Sequence, residues 1–237
     1  MSELRAFDYA HGDVTLHGQV ALPEGDAPHP MVLVMHNALG ISRQIRERAL
    51  ELAGMGYVAV ITDMYGALPD EAARRAMHHV LKDDPKLLRE RVLATYAAAR
   101  TVEGTDTARI AAIGYCFGGR CVLEMARGGL DLACVVSFHG ILETAMPAQS
   151  GAVKAKVLAI TGAQDPYAPP AHVEAFQREM TGAGVDWRLT TYSQAMHAFT
   201  DPESGTRADI PGVRYDPQLA HLSWIEATAF LEATLQA

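Results

Sequence analysis

The 237-residue sequence holds only three cysteines, an odd number with no paired spacing. That excludes a disulfide framework and a zinc cluster, and it fits a reducing compartment. Positive charge is also scarce: 20 lysines and arginines stand against 28 aspartates and glutamates, a formal net charge of −8. Nucleic acid and anionic membrane surfaces both require a basic face, so neither is expected as a partner. No uninterrupted apolar stretch approaches the roughly twenty residues of a membrane span, and Met1-Ser2-Glu3-Leu4-Arg5 offers no apolar core for a signal peptide. A cytoplasmic location is therefore expected. No Ser/Gly-rich or Pro-rich linker, internal repeat or low-complexity tract divides the chain, so a single domain spanning 1–237 is expected.

What is present is an alternation of apolar runs of strand length with longer segments of helical period. The strand candidates are Val14 to Leu22, Met31 to His36, Tyr57 to Thr62, Arg109 to Gly114, Leu132 to Phe138, Lys156 to Thr161 and Asp186 to Tyr192. Helices are read over Arg43 to Gly54, Pro85 to Glu103, Phe117 to Arg127, Pro170 to Thr181 and Pro217 to Leu235, with a charged helical stretch after Asp70. Several strand candidates are continuously apolar, as when helices cover both faces of a sheet. The expected class is a doubly wound, mostly parallel α/β fold. Val14 to Leu22 alternates polar and apolar residues instead and reads as an antiparallel N-terminal edge strand entering as part of an antiparallel pair.

One apolar run, Ile110-Ala111-Ala112-Ile113, ends abruptly in Gly114-Tyr115-Cys116-Phe117-Gly118-Gly119 and passes into a helical pattern. This is the pattern of a nucleophile elbow with sulfur in place of oxygen. In such a turn a buried strand meets a helix so sharply that the middle residue takes strained dihedrals and the residues two positions either side must be small. The geometry puts Cys116 at a helix N-terminus, where unpaired N–H groups favour a thiolate. Cys121, within the following helix, and Cys134, inside an apolar run, read as buried structural cysteines.

A cysteine nucleophile needs a base, and the base needs a third group to hold its tautomer. In open α/β sheets these groups stand just beyond the carboxyl ends of strands. Asp165 follows the run ending at Thr161, and His197 follows the run ending at Tyr192. The chain order Cys116, Asp165, His197 is that of nucleophile, acid and histidine in an α/β-hydrolase. Oxyanion donors are expected from the backbone N–H groups of Phe117 and Ala38, the latter in the loop His36-Asn37-Ala38-Leu39-Gly40. His36 and His139 end strands that face the presumed cleft, either lining it or held in the core. His78 and His79, adjacent on a charged helix, read as surface residues and a poor metal pair. No metal or cofactor is called for.

The segments Gly114-Tyr115-Cys116-Phe117-Gly118-Gly119, Thr62-Asp63-Met64-Tyr65-Gly66, Gly162-Ala163-Gln164-Asp165 and Met196-His197-Ala198-Phe199 together resemble the dienelactone hydrolase family of the α/β-hydrolases, nearly end to end. The resemblance implies a Cys-His-Asp triad that opens esters or lactones through a thioester acyl-enzyme. It also shows departures. Asn37 stands where that family has a glutamate that pairs with the resting cysteine, and Ala67 and Asp201 stand where it has two arginines that clamp the carboxylate of dienelactone. Two charge-assisted bonds at about 1.5 to 3 kcal/mol each are thereby lost. The substrate expected is thus a neutral or weakly polar ester or lactone, in a pocket built from His36, Asn37, Tyr65, His139 and Phe199. Two other readings stand beside this one: a weakened hydrolase that binds or senses a small molecule, and a redox role for Cys116, for which no resolving cysteine is evident. The loop from Asp201 to Asp216 reads as either a lid or a surface connection, and the assembly as a monomer or small homo-oligomer.

Overall fold

The computed structural model describes residues 3–26, 28–206 and 210–236. Its strands are β1 (Leu4–His11), β2 (Val14–Ala21), β3 (His29–Met35), β4 (Val58–Thr62), β5 (Thr105–Tyr115), β6 (Cys134–Phe138), β7 (Lys156–Gly162) and β8 (Trp187–Tyr192). They form one eight-stranded sheet in the order β1-β2-β4-β3-β5-β6-β7-β8. From β4 to β8 every neighbouring pair is parallel, while β2 runs antiparallel to both β1 and β4.

Alternation along the buried strands feeds two cores. Leu33 and Met35 of β3 face one side of the sheet with α3 (Pro85–Ala99), α4 (Phe117–Arg127) and α5 (Pro170–Gly182), through Leu88, Val92, Val122, Met125, Phe176 and Met180. Val32 and Val34 face the other side, against Ile45 and Leu52 of α1 (Arg43–Gly54) and Ala227 and Leu231 of α6 (Pro217–Leu235). Both faces are covered, which is why the strands read as unbroken apolar runs. Helix starts are written locally: Ser42, Asp84 and Asp216 each accept the N–H three residues on, and Pro85, Pro170 and Pro217 occupy first-turn positions where no donor is lost. The remaining helix, α2 (Glu71–Asp83), is capped the same way by Asp70.

The structure corrects the N-terminal reading. Val14–Ala21 is not the edge of the sheet, because Leu4–His11 pairs along its full length on the outside. The two strands are joined by the two-residue turn Gly12-Asp13, with Gly12 at φ 59°, a left-handed conformation suited to hairpins. The antiparallel N-terminal edge is therefore a hairpin.

Connections from β3 pass to β4 on one side, whereas those from β5 pass to β6 on the other. The carboxyl ends of β3 and β5 thus bound the crevice at the point where the strand order reverses, the usual place for a ligand in such a sheet. The loops His36–Gly40 and Tyr115–Phe117 meet there.

Candidate active site

The turn after β5 is compressed on all sides. A Cβ on Gly114 would overlap the Gly118 carbonyl, one on Gly118 would overlap Met35 O, and one on Gly119 would sit 2.7 Å from Ser137 Oγ. Only residues without Cβ let α4 start this close to β3, β5 and β6. The cost is concentrated at Cys116, which takes φ 55° and ψ −112° immediately before the first residue of α4. Its backbone N–H is held by Phe138 O at 3.0 Å, so the strained residue is fixed and its half-buried sulfur projects over the helix N-terminus.

Two later loops bring their side chains to this sulfur. His197 Nε2 lies 3.1 Å from Cys116 Sγ, and its Nδ1 lies 2.8 Å from Asp165 Oδ2. Asp165 is buried, and its other oxygen accepts the Tyr167 N–H at 2.8 Å. The His197 backbone is clamped by Gly212 O at 2.8 Å and by the Arg214 N–H at 3.1 Å. The Tyr167 ring covers the imidazole at a centroid distance of 4.6 Å.

Electrostatics follow from this placement. Burial acts to raise the Cys116 thiol pKa, but the facing His197 charge, its hydrogen bond and the backbone N–H groups of Phe117 and Ala38 outweigh it, and the net shift is downward. Burial likewise opposes charge on His197, yet Cys116 and Asp165 raise it to about 10. Both shifts run in the direction that favours a thiolate beside an imidazolium, and two main-chain N–H groups face the sulfur.

The cavity above the sulfur has a volume of about 470 Å³. Asn37, Ala38, Cys116, His139 and His197 line its floor, and Ile141, Tyr167, Ile210 and Val213 supply an apolar wall. Part of the 201–216 segment is a fixed wall, tied by the Gly212 and Arg214 bonds and by the Asp216 N–H to Phe199 O at 3.0 Å; its residues 207–209 lie outside the described residues. Asn37 and His139 thus face the cavity, whereas His36, Tyr65 and Phe199 are buried behind its wall. His79 is exposed, as read from the sequence, whereas His78 is half-buried; α2 folds back over the crevice and places both, with Arg75 and Lys82, along its rim. His78 packs edge-on against Phe117 at 4.9 Å, and its pKa is lowered to about 4, by burial first and then by the neighbouring cations. Tyr167 was missed in the sequence although it stands two residues after Asp165 in the same strand-end loop, the signal that would have found it. Among the described residues, no group of three or more His, Cys, Asp or Glu is placed to hold a metal ion, and no helix is long and apolar enough to cross a membrane.

The family model for the dienelactone hydrolase family matches residues 16–235. The chain belongs to that family. Among solved structures, a dienelactone hydrolase-like promiscuous phosphotriesterase from metagenomic libraries superposes with a TM-score of 0.91 at 32% identity, covering 98% of each chain. A putative dienelactone hydrolase from Klebsiella pneumoniae superposes at 0.78 over 98% of each chain; at 23% identity it shows the fold alone. Among curated proteins, an uncharacterized protein of Caenorhabditis elegans is 33% identical over 147 residues, 61% of this chain and 92% of that protein. A putative carboxymethylenebutenolidase of Yersinia pestis is 26% identical over 186 residues, 73% of this chain and 69% of that protein. The sheet described above is an α/β-hydrolase fold, and membership of the dienelactone hydrolase family makes the chain a hydrolase acting on small esters or lactones.

Proposed function

We propose that this dienelactone hydrolase family member is a cytoplasmic, single-domain enzyme that hydrolyses a neutral or weakly polar carboxylic ester or lactone through an acyl-enzyme on Cys116. The observation that carries this is the unbroken line from Asp165 Oδ2 through His197 to Cys116 Sγ, at 2.8 and 3.1 Å, with the Phe117 and Ala38 N–H groups facing the same sulfur. The thiolate adds to the carbonyl carbon, and the carbonyl oxygen takes up charge at the two N–H groups. The imidazolium gives its proton to the leaving oxygen, the C–O bond breaks and a thioester remains. Neutral His197 then takes a proton from water as the hydroxide adds to the thioester, and expulsion of the thiolate restores the resting ion pair. Asp165 keeps Nδ1 protonated throughout and stabilises the imidazolium.

Activation of the cysteine rests on His197 and the helix N-terminus rather than on a carboxylate in the Asn37 position. Asn37 is occupied with its own loop: Oδ1 accepts the Leu39 N–H at 2.9 Å, and Nδ2 reaches Asp201 Oδ2 at 3.5 Å. The neutral substrate class is supported by Asp201 on the cavity wall, where a carboxylate repels an anion. The basic rim is offset by neighbours, Arg75 by Glu71 at 2.6 Å and Lys82 by Asp83 at 2.6 Å.

The test is hydrolysis of p-nitrophenyl acetate by the wild type and Cys116→Ala, following burst and steady state. Turnover in the wild type that vanishes in the variant is expected. A single burst without turnover would point to a binding or sensing protein, and undiminished turnover in Cys116→Ala would remove the cysteine from the mechanism.

A further inference from the structure

The Ala38 N–H that faces the sulfur belongs to the same peptide unit as the Asn37 carbonyl. A trans peptide is planar, with C=O and N–H pointing in opposite directions, so whatever holds the carbonyl also aims the N–H. Asn37 O is held from two directions: the Gly40 N–H donates to it at 3.2 Å, and the neighbouring side chain makes the shorter contact, with His36 Nδ1 2.6 Å away. The other ring nitrogen, Nε2, lies 3.1 Å from the Met64 backbone nitrogen. A main-chain N–H can only donate, so Nε2 is the acceptor and the ring proton resides on Nδ1, where it is donated to Asn37 O. The contact at each nitrogen thus selects one tautomer.

The ring has no room to turn. It is fully buried, with Tyr65 edge-on at a centroid distance of 4.7 Å and Phe117 at 6.5 Å. Met64, its fixed point, sits in a turn built by Asp63, whose carboxylate accepts the N–H groups of Tyr65 at 2.8 Å, Gly66 at 3.0 Å and His17 at 2.9 Å. Tyr65 then donates its hydroxyl to Ala38 O at 3.0 Å, holding the next peptide of the loop. Burial lowers the His36 pKa against the pull of Asn37 O and the Asp63 carboxylate, which favours the neutral ring. A protonated ring would turn a second donor toward the Met64 N–H.

We propose that His36, as the neutral Nδ1–H tautomer wedged between the ends of β3 and β4, is a positioning residue for acyl transfer: it clamps the Asn37–Ala38 peptide so that the Ala38 N–H is presented to the developing oxyanion. This rests on Cys116 as the nucleophile. With the His36 bond removed, the Asn37 carbonyl keeps only the longer Gly40 N–H contact, the peptide loses its shortest restraint, and the Ala38 N–H is no longer held on the oxyanion at the moment of reaction. Loss of such a donor lowers turnover by about 10²–10³-fold.

The test compares two reactions of one sulfur. Acylation by p-nitrophenyl acetate passes through an oxyanion; alkylation by iodoacetamide is a displacement at carbon and does not. His36→Gln puts its amide near the place of Nε2 and leaves Asn37 O with the Gly40 N–H alone, whereas His36→Asn places an amide N–H where Nδ1 stood. Expected for His36→Gln is a fall of about 10²-fold in acylation and kcat, with KM and the alkylation rate near wild type, and recovery of most of that loss in His36→Asn. A wild-type acylation rate in His36→Gln, an equal fall of both reactions, or His36→Asn as slow as His36→Gln would each overturn the proposal. Should the variants not fold, nitrogen-15 NMR of histidine-labelled wild type decides: a neutral, Nδ1-protonated His36 is expected, and protonation at Nε2 would refute the clamp. Failure of the nucleophile assignment is seen separately, as wild-type turnover that survives complete alkylation of Cys116.

Discussion

Gly118→Ala is the smallest change that tests how the site is assembled. The added Cβ would stand 2.6 Å from His36 O and overlap Met35 O, whereas ordinary contact starts at 3.4 Å. Neither neighbour is a flexible side chain; both are backbone at the end of β3, so α4 and β3 must part by roughly 1 Å, the scale of misplacement that costs about 10²-fold in rate. The Phe117 N–H rides on α4 and the Ala38 N–H on the loop after β3, so the separation opens the gap between the two oxyanion donors. Overpacking of this kind costs about 1 to 3 kcal/mol, and with about 2 to 4 °C per kcal/mol for a chain of this size the melting temperature should fall by about 2 to 12 °C. The assay pairs thermal unfolding by circular dichroism with single-turnover acylation by p-nitrophenyl acetate, using iodoacetamide alkylation as a control. Acylation should fall about 10²-fold with alkylation much less affected. A variant with wild-type melting temperature and wild-type acylation would show that the close approach at Gly118 has no bearing on the donors.

Three further outcomes are expected. In the wild type the alkylation rate should show an acid limb below the ordinary thiol pKa, because the lowered Cys116 pKa keeps the thiolate populated until the pH falls through it; in His197→Ala, burial is opposed only by the N–H groups and the limb moves upward, whereas an unmoved limb would refute the ion pair. Asp165→Asn keeps the acceptor for the Tyr167 N–H but loses the charge facing His197 Nδ1, so esterase activity should fall by up to about 10⁴-fold, the loss known for a serine triad, with little change in melting temperature; activity within tenfold of wild type would argue against Asp165 as the orienting acid. Glu124→Ala removes a carboxylate, 1% exposed, that pairs with Arg89 and Arg127 and accepts the Thr144 hydroxyl at 2.7 Å. Breaking such a buried network costs about 3 to 5 kcal/mol, or about 6 to 20 °C, and a loss under 2 °C in calorimetry would show that water replaces the carboxylate without penalty.

The features legible in the chain are those imposed by short-range sterics. Gly114, Cys116 and Gly118 announce the elbow because the strand-to-helix turn is local, with the Gly114 clash falling on Gly118 four residues on, although the clash Gly118 avoids is with Met35 and His36 at the end of β3; the unbroken apolar runs of β3 to β7 announce a sheet covered on both faces. The order Cys116, Asp165, His197 follows from the strand-end positions of the loops, which are themselves local. Pairing of Leu4–His11 outside β2 is a matter of which strand closes an edge, and only the Gly12-Asp13 turn hinted at it. Which way a loop turns after its strand is decided elsewhere. His36, Tyr65 and Phe199 leave their strands at the height of the cleft, yet neighbouring segments pack over them and they support the wall instead of lining it. Tyr167 and the α2 residues His78 and His79 reach the cavity because the chain folds back across the crevice after Asp165 and after β4. Sequence position determines how far along the sheet a residue stands; only tertiary packing determines the side it faces, because that depends on surfaces contributed by segments distant in the chain.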